Sequence, residues 1–320
     1  MSKRNLELYK KLYLIRRAEE AIVDNYSSDD MKTPMHMSTG EEAIVVGVCE
    51  ALGKNSSVFG TYRSHALYLA KTGETDKFFA EMYGKSTGVA KGKAGSMHLS
   101  YPEAGFWGAS AIVASNIPLA AGAAFANKYN NTGKITAVFF GDGAVGEGNF
   151  WESLNSACLM RLPILFVCED NELAMHAHIS ERNGFKSLNA IISAFNCNSF
   201  YAETTDVEQI FKLANKAVNL IKKNHQPSFL HLRYYRYLEH VGINEDFDAG
   251  YRSKKDFEMW LKRDPVALQR KKILDSGIRE INIVLIEEKI DRQIEKSIKY
   301  AQKAPLADIK ELYTDIFYEK

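Results

Sequence analysis

The chain has 320 residues, of which 46% are hydrophobic and 25% are charged, as in an ordinary globular protein with one large domain. Its 41 basic and 40 acidic side chains leave a formal net charge of +1, which gives no support for a nucleic-acid partner. No apolar run is long enough to span a membrane, and no apolar signal core follows the charged N-terminus, so we expect a cytoplasmic protein without a membrane partner.

The first half of the chain predicts three helices and a long loop. Apolar residues at helical spacing predict a helix over residues 6–26, and a second helix follows the acidic start Gly40-Glu41-Glu42. The glycine-rich residues 84–108 predict a long loop, a type of segment that is often functional. Residues 117–126 are mostly small and predict a helix that packs closely against another helix, with Pro118 in its first turn.

The clearest pattern is an alternation of strand, helix and strand. Residues 135–140 and 163–168 are short apolar runs that predict buried strands, and the amphipathic residues 147–161 between them predict a helix. A strand–helix–strand unit requires a parallel sheet with a right-handed crossover. The chain continues with a helix over residues 207–223 and a strand over residues 228–234.

The last quarter is predicted to be helical. A charged segment, residues 239–253, reads as a surface loop, and the pattern beyond Asp256 is helical to the end with breaks near Pro265, Gly277 and Pro305. We therefore predict an α/β fold, a parallel sheet with helices on both faces and a helical C-terminal part. The predicted organisation is a helical segment over 1–30, an α/β domain over 31–253 and a helical extension over 254–320.

The four cysteines are scattered along the chain, at Cys49, Cys158, Cys168 and Cys197, and none forms a Cys-x-x-Cys pair. Each lies among apolar residues, which favours buried free thiols over disulfides or a zinc site.

Two polar residues follow the two predicted strands. Asp142 stands at the carboxyl end of the first strand and Asn171 at the carboxyl end of the second. Ligands of open α/β sheets bind at this edge, so we expect the two side chains to converge on one crevice. Carboxylate, amide and backbone carbonyl oxygens suit Mg²⁺, and the helix start expected after Asp142 favours a phosphate. The pair thus predicts a metal–diphosphate site.

A second interpretation of the same residues is a dinucleotide site. The segment Gly141 to Gly146 matches G-x-G-x-x-G after a strand, with Glu169 and Asp170 on the next strand end. A carboxylate at Asp142 would repel a diphosphate unless a cation lay between them, so this residue favours the metal. A nicotinamide-dependent oxidoreductase remains the remote alternative.

Gly141-Asp142-Gly143 with Asn171 also resembles the signature of thiamine-diphosphate enzymes. Further segments match one family of these enzymes in order and over nearly the whole chain, namely Leu14-Ile15-Arg16-Arg17, His36, Gly40-Glu41-Glu42-Ala43, Tyr62-Arg63-Ser64-His65, Gly92-Lys93-Ala94-Gly95-Ser96-Met97-His98, Ile117-Pro118-Leu119-Ala120-Ala121-Gly122-Ala123-Ala124, Arg161-Leu162-Pro163, Trp260, Arg263-Asp264-Pro265 and Glu311-Leu312-Tyr313. The chain is similar to the α subunit of the decarboxylating component of 2-oxo acid dehydrogenase complexes, of the pyruvate, acetoin and branched-chain type.

The resemblance implies an active site shared between two chains. The α subunit would hold thiamine diphosphate and Mg²⁺, and a separate β subunit, in an α2β2 assembly, would supply the glutamate that activates the cofactor. The enzyme would decarboxylate a small 2-oxo acid by the chemistry of the cofactor and pass the acyl group to a lipoyl acyltransferase. A two-chain carboligase or an acetoin-type dehydrogenase is the alternative.

The resemblance also assigns roles to single residues. Asp142, Asn171 and the carbonyl of Leu173 would bind Mg²⁺. Contacts to the cofactor would come from Tyr62, Arg63, Ala111, Val113, Gly141, Asp142, Gly143, Ala144, Asn171, Arg236 and His240. Tyr62, Arg63 and Arg236 would grip the diphosphate, and Val113 would hold the cofactor bent. His240 and, less strongly, His98 are the expected catalytic residues.

The sequence departs from the family pattern near the expected substrate. Asp170 replaces the first asparagine of the usual pair and adds a negative charge near the metal. His176 and His178 replace small hydroxyl residues, and we read them as part of a hydrated loop. The segment around His240 lacks the serine that is phosphorylated in some relatives, so kinase control there is not expected. The identity of the 2-oxo acid therefore stays open.

Overall fold

The computed structural model describes residues 2–315, and within them it contains eight strands. In chain order these are β1 (Ser57–Thr61), β2 (Phe106–Ser110), β3 (Thr136–Gly141), β4 (Ile164–Asp170), β5 (Leu173–Ala174), β6 (Ala177–His178), β7 (Asn198–Glu203) and β8 (Ser228–Arg233). Strands β5 and β6 form a small antiparallel hairpin. The other six form one parallel sheet in the order β2-β1-β3-β4-β8-β7.

Twelve helices surround the sheet in the described part of the chain. They are α1 (Ser2–Tyr26), α2 (Glu42–Leu52), α3 (His65–Thr72), α4 (Asp76–Met82), α5 (Asn116–Tyr129), α6 (Gly148–Leu159), α7 (Ile179–Arg182), α8 (Leu188–Ile192), α9 (Val207–Asn224), α10 (Lys254–Leu261), α11 (Pro265–Asp275) and α12 (Glu280–Lys303). None of the helices described combines the length and apolarity needed to cross a bilayer.

The central strands are buried on both faces, which explains their continuous apolar sequence. In β3, Ala137 and Phe139 point into the core shared with α1, α2 and α9. The alternate residues Val138 and Phe140 point into the core on the opposite face, beneath α5 and α6. Because successive side chains of a strand point to opposite faces, this one apolar run holds both layers of helices.

The predicted α/β architecture is confirmed. The predicted strands and helices of residues 135–168 and 207–234 are all present, as are the breaks at Pro265, Gly277 and Pro305. The sequence analysis missed β1, β2, β7, α3 and α4, because these short elements show little periodicity of their own. A 3-10 turn over Asp142–Gly146 separates Asp142 from α6, which begins at Gly148, one residue after the predicted start of the helix.

The helical C-terminal part is confirmed as far as Lys303, where α12 ends. A 3-10 turn over Ile309–Tyr313 follows, and the predicted helical residues 316–320 lie outside the described part of the chain. Helix α1 packs against α2, α3, α11 and α12. The boundaries proposed near residues 30 and 253 stay predictions.

Small residues in α5 were expected to pack against another helix, and one face of α5 does contact α6. The opposite face is exposed and carries Leu119, Phe125 and Tyr129, with Tyr129 77% exposed. Large apolar side chains on one outer face of a helix are typical of a surface that contacts another protein.

The glycine-rich segment is folded around one buried carboxylate. Glu81, at the end of α4, accepts hydrogen bonds from the backbone amides of Ala90, Gly92, Ala94 and Gly95 at 2.8–3.0 Å. A carboxylate that binds several amides orders a segment that lacks helix or strand bonds of its own. The predicted long loop is therefore present but well organised.

A buried ion-pair network joins the N-terminal helix to the rest of the fold. Arg16 of α1 contacts Glu42 of α2 at 2.7 Å and Asp264, the residue before α11, at 2.8 Å. Asp264 also accepts hydrogen bonds from the Tyr237 hydroxyl and from the first amides of α11.

We predict that Asp264→Ala lowers the free energy of unfolding by at least about 3 kcal/mol, because it leaves the buried Arg16 with one partner and removes a helix cap. Urea unfolding of the purified protein measures the effect. The matched control is Glu203→Ala, which removes the exposed pair with Arg263 and is expected to cost less than about 1 kcal/mol. Equal effects of the two substitutions would contradict the prediction.

Candidate functional site

A cavity of about 240 Å³ opens at the carboxyl edge of the parallel sheet. It lies where β1, β3, β4 and β8 end, as open α/β sheets predict. Its lining residues are Glu41, Thr61, Tyr62, Arg63, Val113, Ala114, Gly141, Asp142, Gly143, Ala144, Glu147, Glu169, Asn171, Leu173, Ala174, Met175, Tyr234, Arg236 and His240.

The structure brings all but two of the predicted site residues into this one cavity. Those in the lining are Tyr62, Arg63, Val113, Gly141, Asp142, Gly143, Ala144, Asn171, Leu173, Arg236 and His240. Ala111 lies just before Val113 but does not line the cavity, where Ala114 is found instead. His98 is exposed in the segment before β2 and also lies outside the lining.

Asp142 is the most unusual group of the cavity. Its carboxylate is buried, and its Oδ2 atom accepts a short hydrogen bond from Arg182. Its Oδ1 atom has no hydrogen-bond partner in the described part of the chain. Burial and the neighbouring charge of Asp170 raise the pKa of Asp142 to about 6, although Arg182 opposes the shift. A buried carboxylate oxygen without a partner is costly unless a cation binds it.

Asn171 and Leu173 form a tight turn at the end of β4. The Asn171 Oδ1 atom accepts the Leu173 amide at 3.0 Å, and its amide nitrogen donates to the Tyr234 hydroxyl at 2.8 Å. Glu172 has a φ of 65° within this turn. The Leu173 backbone N–H can only donate, so its bond fixes which end of the Asn171 amide carries the oxygen, and that oxygen faces the turn beside the cavity.

The extra charge of Asp170 is balanced within the protein. Asp170 contacts His231 at 2.6 Å, accepts the Glu172 amide at 2.7 Å and lies 3.6 Å from Arg233. Burial acts to raise the pKa of Asp170, but these partners together outweigh it and the pKa is lowered. Asp170 therefore stays ionised and is directed toward β8, where its hydrogen bonds brace the turn that carries Asn171.

The donor set fits a hard divalent cation better than a softer metal. No cluster of three or more His, Cys, Asp or Glu side chains suited to a metal exists within residues 2–315. One carboxylate, one amide oxygen and one backbone carbonyl would leave coordination positions for water and phosphate oxygens, as Mg²⁺ prefers. The unpartnered Oδ1 of Asp142 is the atom that such a cation would satisfy.

Two buried arginines supply positive charge to the cavity. Arg63 donates to the backbone carbonyls of Met37 and His240, and Arg236 donates to Leu238 and to the Tyr251 hydroxyl. These bonds fix both guanidinium groups in place. Burial and the charge of Arg63 lower the pKa of Arg236 to about 10, which leaves it charged at neutral pH.

The surroundings of His240 disfavour the protonated imidazole at neutral pH. Burial, Arg63 and Arg236 lower its pKa to about 4. Its ring lies 5.7 Å from the Tyr62 ring and 5.4 Å from the His36 ring. The neighbouring cations disfavour a further positive charge, so His240 can accept a proton or a hydrogen bond only as neutral imidazole.

Three further charged residues line the cavity, Glu41, Glu147 and Glu169, and Arg182 contacts Asp142 beside it. Burial raises the pKa of Glu41 to about 8 and that of Glu169 well above its ordinary value, although Arg63 opposes both shifts. Glu41 lies within a matched motif and Glu169 entered only the dinucleotide interpretation, so neither was assigned a role at a thiamine-diphosphate site. Arg182 lies in no motif, and its contact with Asp142 depends on the fold of the hairpin.

The chain was compared with known proteins. A sequence model of the family described as "Dehydrogenase E1 component" matches residues 10–310. "Pyruvate dehydrogenase E1 component subunit alpha" of Rickettsia felis is 33% identical over 98% of this chain and 95% of its own length. Proteins of the same description are 34% identical in Zymomonas mobilis, over 98% and 89%, and 33% identical in Porphyra purpurea, over 98% and 92%.

We predict that the affinity of the cavity for Mg²⁺ falls about tenfold per pH unit below pH 6, because the cation and a proton compete for Asp142. The raised pKa means that, without a cation, Asp142 adds stability only at acidic pH, and this is lost as the pH rises through about 6. Calorimetry between about pH 5 and about pH 8 measures the affinity. Asp142→Asn should bind weakly at every pH, and a pH-independent affinity of the unsubstituted protein would contradict the prediction.

Proposed function

Because the chain belongs to the dehydrogenase E1 component family, we propose that its cavity binds thiamine diphosphate through Mg²⁺ and that it decarboxylates a small 2-oxo acid. The chain is the α subunit of a thiamine-diphosphate-dependent 2-oxo acid dehydrogenase and acts with a β subunit. The observation that carries the proposal is the buried Asp142 carboxylate, whose Oδ1 lacks a partner beside the Asn171 turn. The same family match leaves the dinucleotide alternative without support.

Mg²⁺ would be held by Asp142, the Asn171 side chain and the Leu173 carbonyl. These groups follow two adjacent parallel strands, so the sheet itself brings them together. The ion would satisfy Asp142 and convert its repulsion of a diphosphate into attraction through the shared cation. Gly143 supports this arrangement, because a Cβ atom there would lie 3.0 Å from the Ala174 side chain and separate the two strand ends.

The diphosphate would lie against Arg63, Arg236 and Tyr62. Guanidinium groups bind phosphate oxygens through paired N–H donors, and both arginines are already fixed by other bonds. Thiamine diphosphate, when bound, would supply a carbon nucleophile for the 2-oxo carbonyl and a place to store the electron pair that stays on carbon when carbon dioxide leaves. Val113 lines the same cavity and would pack against the bent cofactor.

His240 would act as a neutral group beside the substrate. Its lowered pKa keeps the imidazole unprotonated at neutral pH, so it can accept a hydrogen bond or a proton from the reacting oxygen. His98 is exposed and lies outside the cavity lining, and the catalytic role expected for it stays a prediction. Relatives named for pyruvate make pyruvate the first 2-oxo acid to test.

An apolar surface beside the cavity would receive the β subunit. Val113 is 44% exposed although it lines the cavity, and its neighbours Ile112 and Trp107 are 69% and 52% exposed. The exposed face of α5 with Leu119 and Phe125 extends this surface. Covering it would exclude water from the cofactor and bring the activating glutamate of the partner to the cavity. A lipoyl acyltransferase would then accept the acyl group.

Calorimetric titration of the co-expressed α and β subunits tests the cofactor site. We expect thiamine diphosphate to bind tightly only with Mg²⁺, and we expect Asp142→Ala to weaken this binding at least about 100-fold. Asp275→Ala, an exposed acid at the end of α11, is the matched control and should bind as the unsubstituted protein does. Mg²⁺-dependent binding that persists in Asp142→Ala would contradict the assignment of Asp142 as a metal ligand.

Turnover should require both subunits. We expect the complex to oxidise pyruvate or another small 2-oxo acid with an artificial electron acceptor, and we expect the isolated α chain to show no turnover, since the activating glutamate is not on it. A panel of 2-oxo acids assayed with and without the β subunit measures this. Turnover by the α chain alone would contradict the proposal, and acyloin products without acceptor reduction would favour the carboligase.

A further inference from the structure

Among the described residues, only the Arg182 side chain forms a hydrogen bond with the Asp142 carboxylate. Its Nη2 atom donates to Oδ2 of the carboxylate and leaves Oδ1 without a partner. Both side chains are largely buried, with 18% of Arg182 and 3% of Asp142 exposed. A carboxylate with one oxygen held and the other free has a fixed direction, which is what a metal ligand requires.

Arg182 also contacts the hairpin that carries Leu173. Its Nε atom donates to the Ala177 carbonyl at 3.2 Å, within the β5–β6 hairpin. This hairpin begins at Leu173, two residues after Asn171. One guanidinium group therefore joins the strand end that carries Asp142 to the hairpin that begins with the proposed ligand Leu173.

Backbone and capping hydrogen bonds connect the hairpin to α7, the helix that ends at Arg182. Ile179 at the start of α7 donates its amide to the Glu172 carbonyl at 2.7 Å, which ties the helix to the turn after Asn171. His178 caps α7, with the Glu181 side chain completing a capping box. Arg182 is the last residue of this short helix, so its position is set by the same turn that orients the ligands.

Arg182 also balances the charge of a buried acid. Asp142 and Asp170 are both buried at adjacent strand ends, and Asp170 is balanced by His231 on β8. Arg182 is the corresponding balance for Asp142. Arg182 contacts only Oδ2 of the carboxylate, so Oδ1 remains free for a cation.

We propose that Arg182 is a positioning residue that orients Asp142 toward Mg²⁺ and clamps the Asp142 strand end to the hairpin that begins at Leu173. The proposal rests on the proposed function, because it takes Mg²⁺ as the ligand of Asp142. Substitution of groups that hold a metal ligand commonly lowers metal affinity 10–100-fold, without removing a ligand. Arg182 thus acts on the metal through Asp142 and not by direct contact.

The test is a calorimetric titration of the α–β complex with Mg²⁺ at saturating thiamine diphosphate. We expect Arg182→Gln to raise the half-saturating Mg²⁺ concentration about 10–100-fold, while turnover at saturating Mg²⁺ changes much less. Arg182→Lys keeps the charge but cannot bridge both acceptors, so it should give an intermediate value. Arg292→Gln, an exposed arginine on α12, is the matched control and should change neither quantity.

A double substitution separates orientation of Asp142 from a general structural effect. In an Asp142→Ala background, Arg182→Gln should cause no further loss of thiamine-diphosphate binding, because the group on which it acts is absent. An equal loss in both backgrounds would overturn the proposal, as would unchanged or tighter Mg²⁺ binding by Arg182→Gln alone. Should Arg182→Gln fail to assemble, Arg182→Lys decides the same question. Absence of Mg²⁺-dependent binding by the unsubstituted complex would refute the proposed function itself.

Discussion

The arrangement of the site depends on two buried acids at neighbouring strand ends. Parallel strands lie about 4.8 Å apart, so the carboxyl ends of β3 and β4 place Asp142 and Asp170 close together in a region with little water. The fold balances the two charges in different ways. Asp170 receives His231 and Arg233 from β8, whereas Asp142 receives one arginine and keeps one oxygen free. This asymmetry makes one acid structural and the other a candidate metal ligand.

The same burial controls the remaining charges of the cavity. Arg63 lies among acids and histidines and acts on both, opposing the raised pKa of Glu41 and lowering that of His240. The cavity therefore combines fixed arginines with the neutral His240 and with Glu41, an acid that holds its proton near neutral pH. Such a set would bind a diphosphate by its fixed charges and would leave the histidine free to accept a proton from a substrate, two tasks that would conflict on one charged group.

The sequence predicts the parts of this site that rest on local pattern. The apolar runs before Asp142 and Asn171 identify two buried parallel strands, and strand ends of this kind converge whatever the rest of the fold does. The family resemblance adds Tyr62, Arg63 and Arg236, which no periodicity identifies. Neither the apolar pattern nor the family resemblance identifies Arg182 or His231. Arg182 contacts a residue 40 positions away and depends on the fold of the hairpin, and His231 contacts a residue 61 positions away and depends on the register of β4 against β8. The short strands β1 and β7 were missed for a related reason, because their hydrogen bonds to neighbouring strands define them more than their own amino-acid composition does.

The proposed metal ligands and diphosphate donors of the described chain lie in one cavity. They follow the carboxyl ends of strands of one sheet, which gathers them at one edge. Val113 and Ile112 expose apolar surface at the cavity. Water must be excluded from this region by a reaction that leaves an electron pair on carbon, because water would protonate that carbon. The lowered pKa of His240 keeps its imidazole neutral beside the two arginines. In the proposed function the group that activates the cofactor belongs to the β subunit, and the exposed apolar side of the cavity is where that subunit would place it.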